Sequence, residues 1–128
     1  MIDGAHILLY SSDAEADRAF LRDVLAFRNV DAGHGWLIFA LPPAEVAVHP
    51  TEDAGGQPRA EHGLLHSDLY LLCDDLQAEI ETLAAKGVRC TTVSEERWGI
   101  RTTIKLPSGG EIGLYQPKHP TALVLGAS

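Results

Sequence analysis

Residues 44–50 read AEVAVHP, and residues 110–117 read GEIGLYQP. Each stretch places a Glu before alternating apolar residues and ends at a Pro. Because strand side chains alternate between two faces, both stretches predict a short β-strand with one apolar face. In this alignment Glu45 matches Glu111, and Ala47 matches Gly113. The likeness predicts two copies of one structural unit.

The sequence before the first stretch predicts strand, helix and strand. Residues 5–10 are apolar and β-prone, and residues 36–41 form a second such run that Pro42 stops. We expect Ser12 and Glu15 to form a capping box at the start of the intervening helix. Apolar residues recur at helical spacing behind that cap, at Ala16, Phe20, Val24 and Phe27.

The same order returns before the second stretch. Residues 68–73 predict a strand, Asp74 is expected to cap the next helix, and Gly87 is expected to end it. Residues 88–93 are interpreted as a strand or an extended connection. Residues 100–106 predict a strand with β-branched content, and the turn PSGG joins it to the last strand.

The chain is therefore predicted to be one α+β domain, residues 1–128, built from two βαβββ modules in a pseudo-twofold arrangement. Module one covers about residues 4–50, a Gly- and Pro-rich linker covers 51–63, and module two covers about 64–117. Residues 118–128 are interpreted as a C-terminal tail. At 45% hydrophobic residues, a chain of this length can bury a core of its own.

Charge and cysteine content exclude several classes of protein. The net charge of −8 argues against nucleic acid and against anionic membrane surfaces as partners. No apolar run approaches the roughly 20 residues that a membrane span needs, and no signal peptide is evident. Two cysteines without a CxxC or Cys/His metal spacing favour a reducing compartment, and so the cytoplasm.

Three segments resemble the glyoxalase/bleomycin-resistance/extradiol-dioxygenase family, also called the vicinal oxygen chelate superfamily. They are HILLYSSDAEADRAFLRDVLAF at 6–27, CDDLQAEIETLAAKGV at 73–88 and LPSGGEIGLYQP at 106–117. The resemblance implies that the paired modules form a mixed sheet curled around a cleft, usually in a homodimer. Members of the family isomerise, cleave or simply bind small molecules.

In metal-using members of that family, the ligands come from the first and last strands of each module. The resemblance places these positions at His6, Asp68, Ala47 and Gly113. Ala and Gly cannot ligate a metal by their side chains, so we expect no metal cofactor. The alternative is a displaced site for Fe, Mn, Ni or Zn, formed by His6, Asp68 and a Glu, either Glu111 or Glu45.

Strand parity predicts which side chains line the cleft. The apolar residues Val46, Val48, Ile112 and Leu114 should face the helices. Small residues at Ala47 and Gly113 are then expected to leave room for a ligand. The expected ligand-binding residues are His6, Tyr10, Trp36, His49, Asp68, Tyr70, Trp98 and Tyr115.

Glu45 and Glu111 are the candidate catalytic residues. If the two carboxylates approach each other across the cleft, like charges raise one pKa and allow general acid/base chemistry. Arg97 and Arg101 flank Trp98 and could attract an acidic ligand, but we interpret them as surface residues.

The sequence thus favours a small-molecule-binding protein or a metal-independent enzyme of the superfamily, forming a homodimer. One alternative is a divalent-metal dioxygenase or a glyoxalase-type lyase or isomerase. A second alternative is a resistance protein that sequesters a drug, for which an acidic cleft would suit a cationic compound. The identity of the ligand and the presence of catalysis do not follow from the residues, because one fold carries many chemistries.

Overall fold

The computed structural model describes residues 1–50, 63–123 and 125 of the chain. The predicted linker therefore lies outside the described residues except for Gly63, and so does part of the C-terminal tail. Two helices and six strands are formed: α1 (Ala14–Asp23), β1 (Asn29–Asp31), β2 (Leu37–Phe39), β3 (Tyr70–Leu72), α2 (Leu76–Ala85), β4 (Ser94–Glu95), β5 (Gly99–Lys105) and β6 (Glu111–Pro117).

The larger sheet belongs to the predicted second module. Its four strands lie in the order β3-β6-β5-β4, with β3 parallel to β6 and the other pairs antiparallel. Strands β1 and β2 form a separate antiparallel pair. The predicted α+β class is confirmed, whereas the pairing of two complete modules stays a prediction.

The core lies on the face of the larger sheet that α2 covers. Ile112 and Leu114 of β6 face this side and are only 4% and 5% exposed, as the alternation predicted. Phe20 of α1 joins the same apolar cluster. The remaining buried members are Leu76, Leu83, Val88 and Ile104.

The N-cap of each helix lies one residue later than predicted. Asp13, rather than Ser12, accepts the N–H of Ala16, and Asp75, rather than Asp74, accepts the N–H of Ala78. An Asp carboxylate at these positions reaches the free N–H groups of the first turn.

The end of α2 follows the predicted glycine. Gly87 has a φ of +78°, and its N–H donates to the carbonyl of Ala84. The next N–H, of Val88, donates to the carbonyl of Leu83 at 2.9 Å, which completes a Schellman motif.

A buried carboxylate joins α1 to the PSGG turn of module two. Asp17, 8% exposed, accepts hydrogen bonds from the Ser108 N–H at 3.0 Å and the Ser108 hydroxyl at 2.7 Å. It also accepts one from the Ser11 hydroxyl at 2.7 Å. These bonds compensate the cost of removing the carboxylate from water and fix α1 against the second module.

Two predicted strands of module one are wrong in this structure. Residues 5–10 and 44–50 contain no strand, and Val46 and Val48 are 90% and 91% exposed rather than packed against a helix. The prediction for 36–41 is confirmed in its centre by β2, while the short strand β1 was not predicted. Although residues 44–50 alternate in sequence, no strand among the described residues pairs with them.

No helix in the described part of the chain has the length and apolar character needed to cross a membrane.

Candidate functional site

Three aromatic side chains cluster on the face of the larger sheet opposite α2, here called the open face. The rings of Tyr70, Trp98 and Tyr115 meet edge to face, with centroid separations of 6.2 Å, 5.4 Å and 5.1 Å. Such contacts are favourable beyond simple burial. Trp98 remains 37% exposed, so this aromatic cluster presents ring surface to solvent.

Strand register explains how the aromatic cluster forms. Tyr70 on β3 lies opposite Gly113 on β6, and its ring lies over the glycine. A Cβ at Gly113 would lie 2.5 Å from Cε1 of that ring, and one at Gly99 would lie 3.1 Å from Cδ2 of Tyr115. The expectation that Gly113 leaves room for a ligand is therefore wrong, because Tyr70 occupies that space.

Polar groups act on the hydroxyl of Tyr115 in the aromatic cluster. The Tyr115 hydroxyl lies 3.0 Å from Nε2 of His119. Burial raises the pKa of the Tyr115 hydroxyl, and the Glu45 carboxylate and Tyr70 add to the rise. Glu45 itself accepts the N–H of Ala122 at 2.7 Å. Thus the Glu45 carboxylate of module one contacts the backbone at Ala122 and acts electrostatically on the Tyr115 hydroxyl of module two.

The two candidate catalytic carboxylates have separate partners, since Glu45 accepts the Ala122 N–H whereas Glu111 pairs with residues of its own sheet. Glu111 accepts a hydrogen bond from the Thr103 hydroxyl at 2.5 Å and lies 2.9 Å from Nζ of Lys105. The bond from Thr103 and then that from Lys105 lower the pKa of Glu111. The raised pKa that two approaching like charges would produce is therefore not found at Glu111.

A polar groove of about 270 Å³ adjoins the aromatic cluster along β5. Arg101 connects the two, because it lines the groove while its Nη1 lies 3.4 Å from the Tyr70 hydroxyl. We call this polar groove the hydroxyl groove, and its other polar wall residues are Thr91, Thr92, Ser94, Thr102, Thr103 and Glu111.

Sequence reasoning missed most of the hydroxyl groove. It interpreted Arg101 as a surface residue and did not consider Thr91 or Thr103. The signal was available in β5, since Arg101 pairs with Tyr115 and Thr103 pairs with Gly113 across antiparallel strands. Cross-strand partners share a face, so the parity that placed Tyr115 also places Arg101 beside it.

Within the described residues, the other predicted ligand-binding residues make no ring contact with the aromatic cluster. Tyr10 is 55% exposed, and Trp36, 61% exposed, carries the Arg18 guanidinium 4.4 Å from its ring centre. Asp68 is exposed and faces His66, with 3.6 Å between Oδ1 and Nε2. The exposed residues His6 and His49 have no hydrogen bond or ring contact to the cluster within the described chain.

The displaced metal site is not assembled. Across residues 1–50, 63–123 and 125, no three His, Cys, Asp or Glu side chains are grouped so that they could hold a metal ion. His6, Asp68 and Glu111 are therefore not brought together, and Ala47 and Gly113 offer no side-chain ligand. The described residues therefore do not form a site that fits a divalent cation.

A second groove, of about 430 Å³, lies on the helix side of the larger sheet and has mostly apolar walls. Cys73 lines it, and burial, followed by the charges of Glu79 and Asp74, raises the pKa of this thiol to about 11. A thiol with so high a pKa is a poor nucleophile at neutral pH. This groove shares Leu83, Ile104 and Leu114 with the core.

Comparison with protein families gives a match over most of the chain. The family described as Glyoxalase/Bleomycin resistance protein/Dioxygenase superfamily matches residues 5–113. No curated protein sequence matches the chain.

Solved structures give further likenesses. An antibiotic binding protein, TnmS3, from Streptomyces sp. CB03234 is 27% identical, with 92% of this chain and 100% of that chain covered and a TM-score of 0.57. A glyoxalase/bleomycin resistance protein from the same organism is 28% identical, with 83% and 93% covered and a TM-score of 0.51. A lactoylglutathione lyase from Agrobacterium tumefaciens, at 19% identity, 89% and 92% coverage and a TM-score of 0.58, shares the fold.

Proposed function

The chain belongs to the Glyoxalase/Bleomycin resistance protein/Dioxygenase superfamily, and we propose that it binds a small organic molecule on the open face of its larger sheet. The observation that carries this proposal is the aromatic cluster of Tyr70, Trp98 and Tyr115, which leaves ring surface exposed. Exposed aromatic walls beside a few polar groups are the usual composition of a small-molecule site. The ligand would be planar and aromatic, because edge-to-face rings offer flat apolar contact.

The proposed binding does not depend on a metal ion. The residue types at Ala47 and Gly113 and the separation of His6, Asp68 and Glu111 support this part of the proposal. Catalysis by Glu111 receives no support from its lowered pKa, since a general acid near neutral pH needs a raised one. We therefore put binding ahead of an enzymatic reaction.

Sequestration of an antibiotic is the second candidate function. The likeness to an antibiotic binding protein, at an identity above one quarter and over almost the whole of both chains, supports it. Thermal denaturation with and without bleomycin-type drugs tests it, because a ligand bound to the native state must raise the melting temperature. Chemically unchanged drug should be recovered from the complex. Conversion of the drug, or no stabilisation by any antibiotic tried, would contradict sequestration.

We also propose that the protein is a homodimer of the cytoplasm. Val46 and Val48 expose nearly their whole side chains, and a second copy would remove them from water. The two cysteines, Cys73 and Cys90, are both free, in keeping with a reducing compartment. Sedimentation velocity should give twice the chain mass, and a Val46→Asp/Val48→Asp variant should sediment as a monomer. A wild-type monomer at every concentration would refute the dimer.

Fluorescence tests the proposed site directly. In a Trp36→Phe variant, Trp98 is the only tryptophan, and the uncharged probe 2-naphthamide should quench its emission saturably. Tyr70→Ala should weaken binding by at least about tenfold, because one wall of the aromatic cluster is lost. Tyr10→Ala is the matched control, since Tyr10 makes no ring contact with the cluster and should leave binding unchanged.

Two outcomes would overturn the proposal. Equal losses in Tyr10→Ala and Tyr70→Ala would place the ligand elsewhere. Stoichiometric Fe, Mn, Ni or Zn in protein purified without chelator, lost in His6→Ala, would contradict metal-independent binding. Dialysis against a chelator should leave the affinity for 2-naphthamide unchanged.

A further inference from the structure

We infer that the ligand of this site is an aromatic carboxylate, whose anionic group binds Arg101 while its rings lie on the aromatic cluster. The inference rests on the proposed function and adds the chemical class of the ligand. It assigns a specificity-determining role to a residue that the sequence pattern placed on the surface.

Arg101 lacks the close carboxylate partner that Lys105 and Lys118 have. Nζ of Lys105 lies 2.9 Å from Glu111, and Nζ of Lys118 lies 2.9 Å from Glu95. Both lysines are thus neutralised by a close carboxylate. The closest carboxylate contact of Arg101 is much longer, 3.9 Å from Nε to Oε1 of Glu96.

The acidic groups near Arg101 are already hydrogen-bonded to other residues. Oε1 of Glu96 accepts the Ser94 hydroxyl at 2.6 Å. Glu111 is held by Thr103 and Lys105. Among the described residues, the guanidinium of Arg101 therefore keeps only the 3.4 Å contact to Tyr70 and the 3.9 Å contact to Glu96.

A guanidinium has five N–H donors in a planar fork, and carboxylates match that fork in two parallel hydrogen bonds. Arg101 is about one third exposed, so a bound carboxylate would be partly shielded from water. Its position between the aromatic cluster and the hydroxyl groove fixes where the charge must lie relative to the rings. A lysine would supply a point charge but not the fork.

The hydroxyl groove offers further polar groups beside the carboxylate that Arg101 would bind. Thr103 donates its proton to Glu111, and Thr91 lies 2.9 Å from Thr103 between the two hydroxyl oxygens. The Thr92 hydroxyl has no hydrogen bond within the described residues and lines the same groove. A hydroxyl can donate to a carboxylate oxygen, so Thr92 is a polar group of this groove that a bound anion could use.

Three matched probes test the inference in the Trp36→Phe protein: 2-naphthoate, neutral 2-naphthamide and cationic 2-naphthylmethylammonium. The naphthalene rings are the same in all three probes, so differences in affinity report the polar substituent. We expect 2-naphthoate to bind at least about tenfold more tightly than 2-naphthamide, the effect of one charge-assisted hydrogen-bonded pair. The ammonium probe should bind most weakly.

Substitution then assigns the preference to one side chain. Arg101→Met should reduce the preference for 2-naphthoate over 2-naphthamide, measured within the variant, to within about twofold. Arg101→Lys should restore part of the preference. Arg97→Met is the matched control, because it removes the same charge from an exposed arginine of the same segment and should keep the full preference.

The outcomes separate the inference from the proposed function. Equal binding of 2-naphthoate and 2-naphthamide, or tighter binding of the ammonium probe, overturns the inference and leaves the proposed function standing. A preference that survives in Arg101→Met also overturns it. Failure of all three probes to bind overturns both. The comparison of probes in the Arg101-containing protein needs no further variant, so it holds even if Arg101→Met is poorly folded.

Discussion

Residues 44–50 and 110–117 carry the same pattern and reach different ends. In β6, Ile112 and Leu114 are about 95% buried, because α2 covers that face and β3 and β5 pair with both edges. In residues 44–50, Val46 and Val48 are about 90% exposed, and no strand forms. An alternating sequence thus determines which side chains share a face, while burial of that face depends on neighbouring elements.

The small residues of the two stretches also differ in role. Gly113 lies directly under the ring of Tyr70, whereas Ala47 is exposed. The acidic residues also differ, since Glu111 pairs with Lys105 on its own sheet whereas Glu45 accepts the backbone N–H of Ala122. Matching positions of the two stretches therefore have different contacts in the folded chain.

The largest expected effect separates the two apolar pairs. Ile112→Ala should lower the free energy of unfolding by about 2–5 kcal/mol, because it leaves a cavity in the core. The matched Val46→Ala should change it by less than about 0.5 kcal/mol at low protein concentration. Urea denaturation monitored by circular dichroism measures both. A large cost for Val46→Ala would break the comparison and show that residues 44–50 are buried in solution.

The next effect concerns the buried carboxylate of α1. Asp17→Ala should cost about 1–3 kcal/mol of unfolding free energy, because the Ser108 N–H loses its acceptor. Glu79, one turn after the cap of α2 as Asp17 is after the cap of α1, is exposed, and Glu79→Ala should cost less than about 0.5 kcal/mol. Equal losses in the two variants would contradict the asymmetry between the helices.

Gly113 and Ala47 give a comparable test. Gly113→Ala should destabilise the fold by about 1–3 kcal/mol, because its Cβ overlaps the ring of Tyr70. Adding Tyr70→Ala should remove most of that penalty, and the double-mutant cycle measures the coupling. The reverse exchange, Ala47→Gly, serves as the control and should have a small effect. Additive losses at Gly113 and Tyr70 would refute the contact.

The smallest effect should be equal in the two modules. Asp13→Ala and Asp75→Ala should each cost about 1 kcal/mol, because each removes the acceptor for a free N–H of the first helical turn. The neighbouring substitutions Ser12→Ala and Asp74→Ala should each cost less than about 0.5 kcal/mol. Thermal unfolding of the four variants measures this, and a larger loss for Ser12 or Asp74 would restore the caps that the sequence predicted.

Much of the fold was predictable, because its signals are local. Helical spacing around Phe20, the glycine at Gly87 and the alternation in β6 each report a residue's immediate neighbours. The caps were missed by one position, since Ser12 and Asp13 are both good cap residues and only backbone geometry decides between them. The candidate site was predicted in its aromatic members, Tyr70 and Tyr115, by strand parity.

Arg101 and the hydroxyl groove were not predicted, because they depend on register across β5 and β6. The two candidate catalytic residues were expected to meet, yet a sequence contains no measure of the distance between strands of different modules. His119 was assigned to a loose tail, although its ring lies 3.0 Å from the Tyr115 hydroxyl. Each of these contacts joins residues whose relation only three-dimensional packing defines.

The sequence by itself determined the class of the fold, the positions of both helices and which residues of β6 face the core, because periodicity and turn chemistry act over a few residues. Tertiary structure alone decided that one apolar stretch is buried and its counterpart exposed. It also decided that Tyr70 fills the space above Gly113, and that Arg101 stands beside the aromatic cluster without a close carboxylate. Burial and charge pairing are properties of neighbours distant in sequence, so the pattern that repeats in the chain does not repeat in its environment.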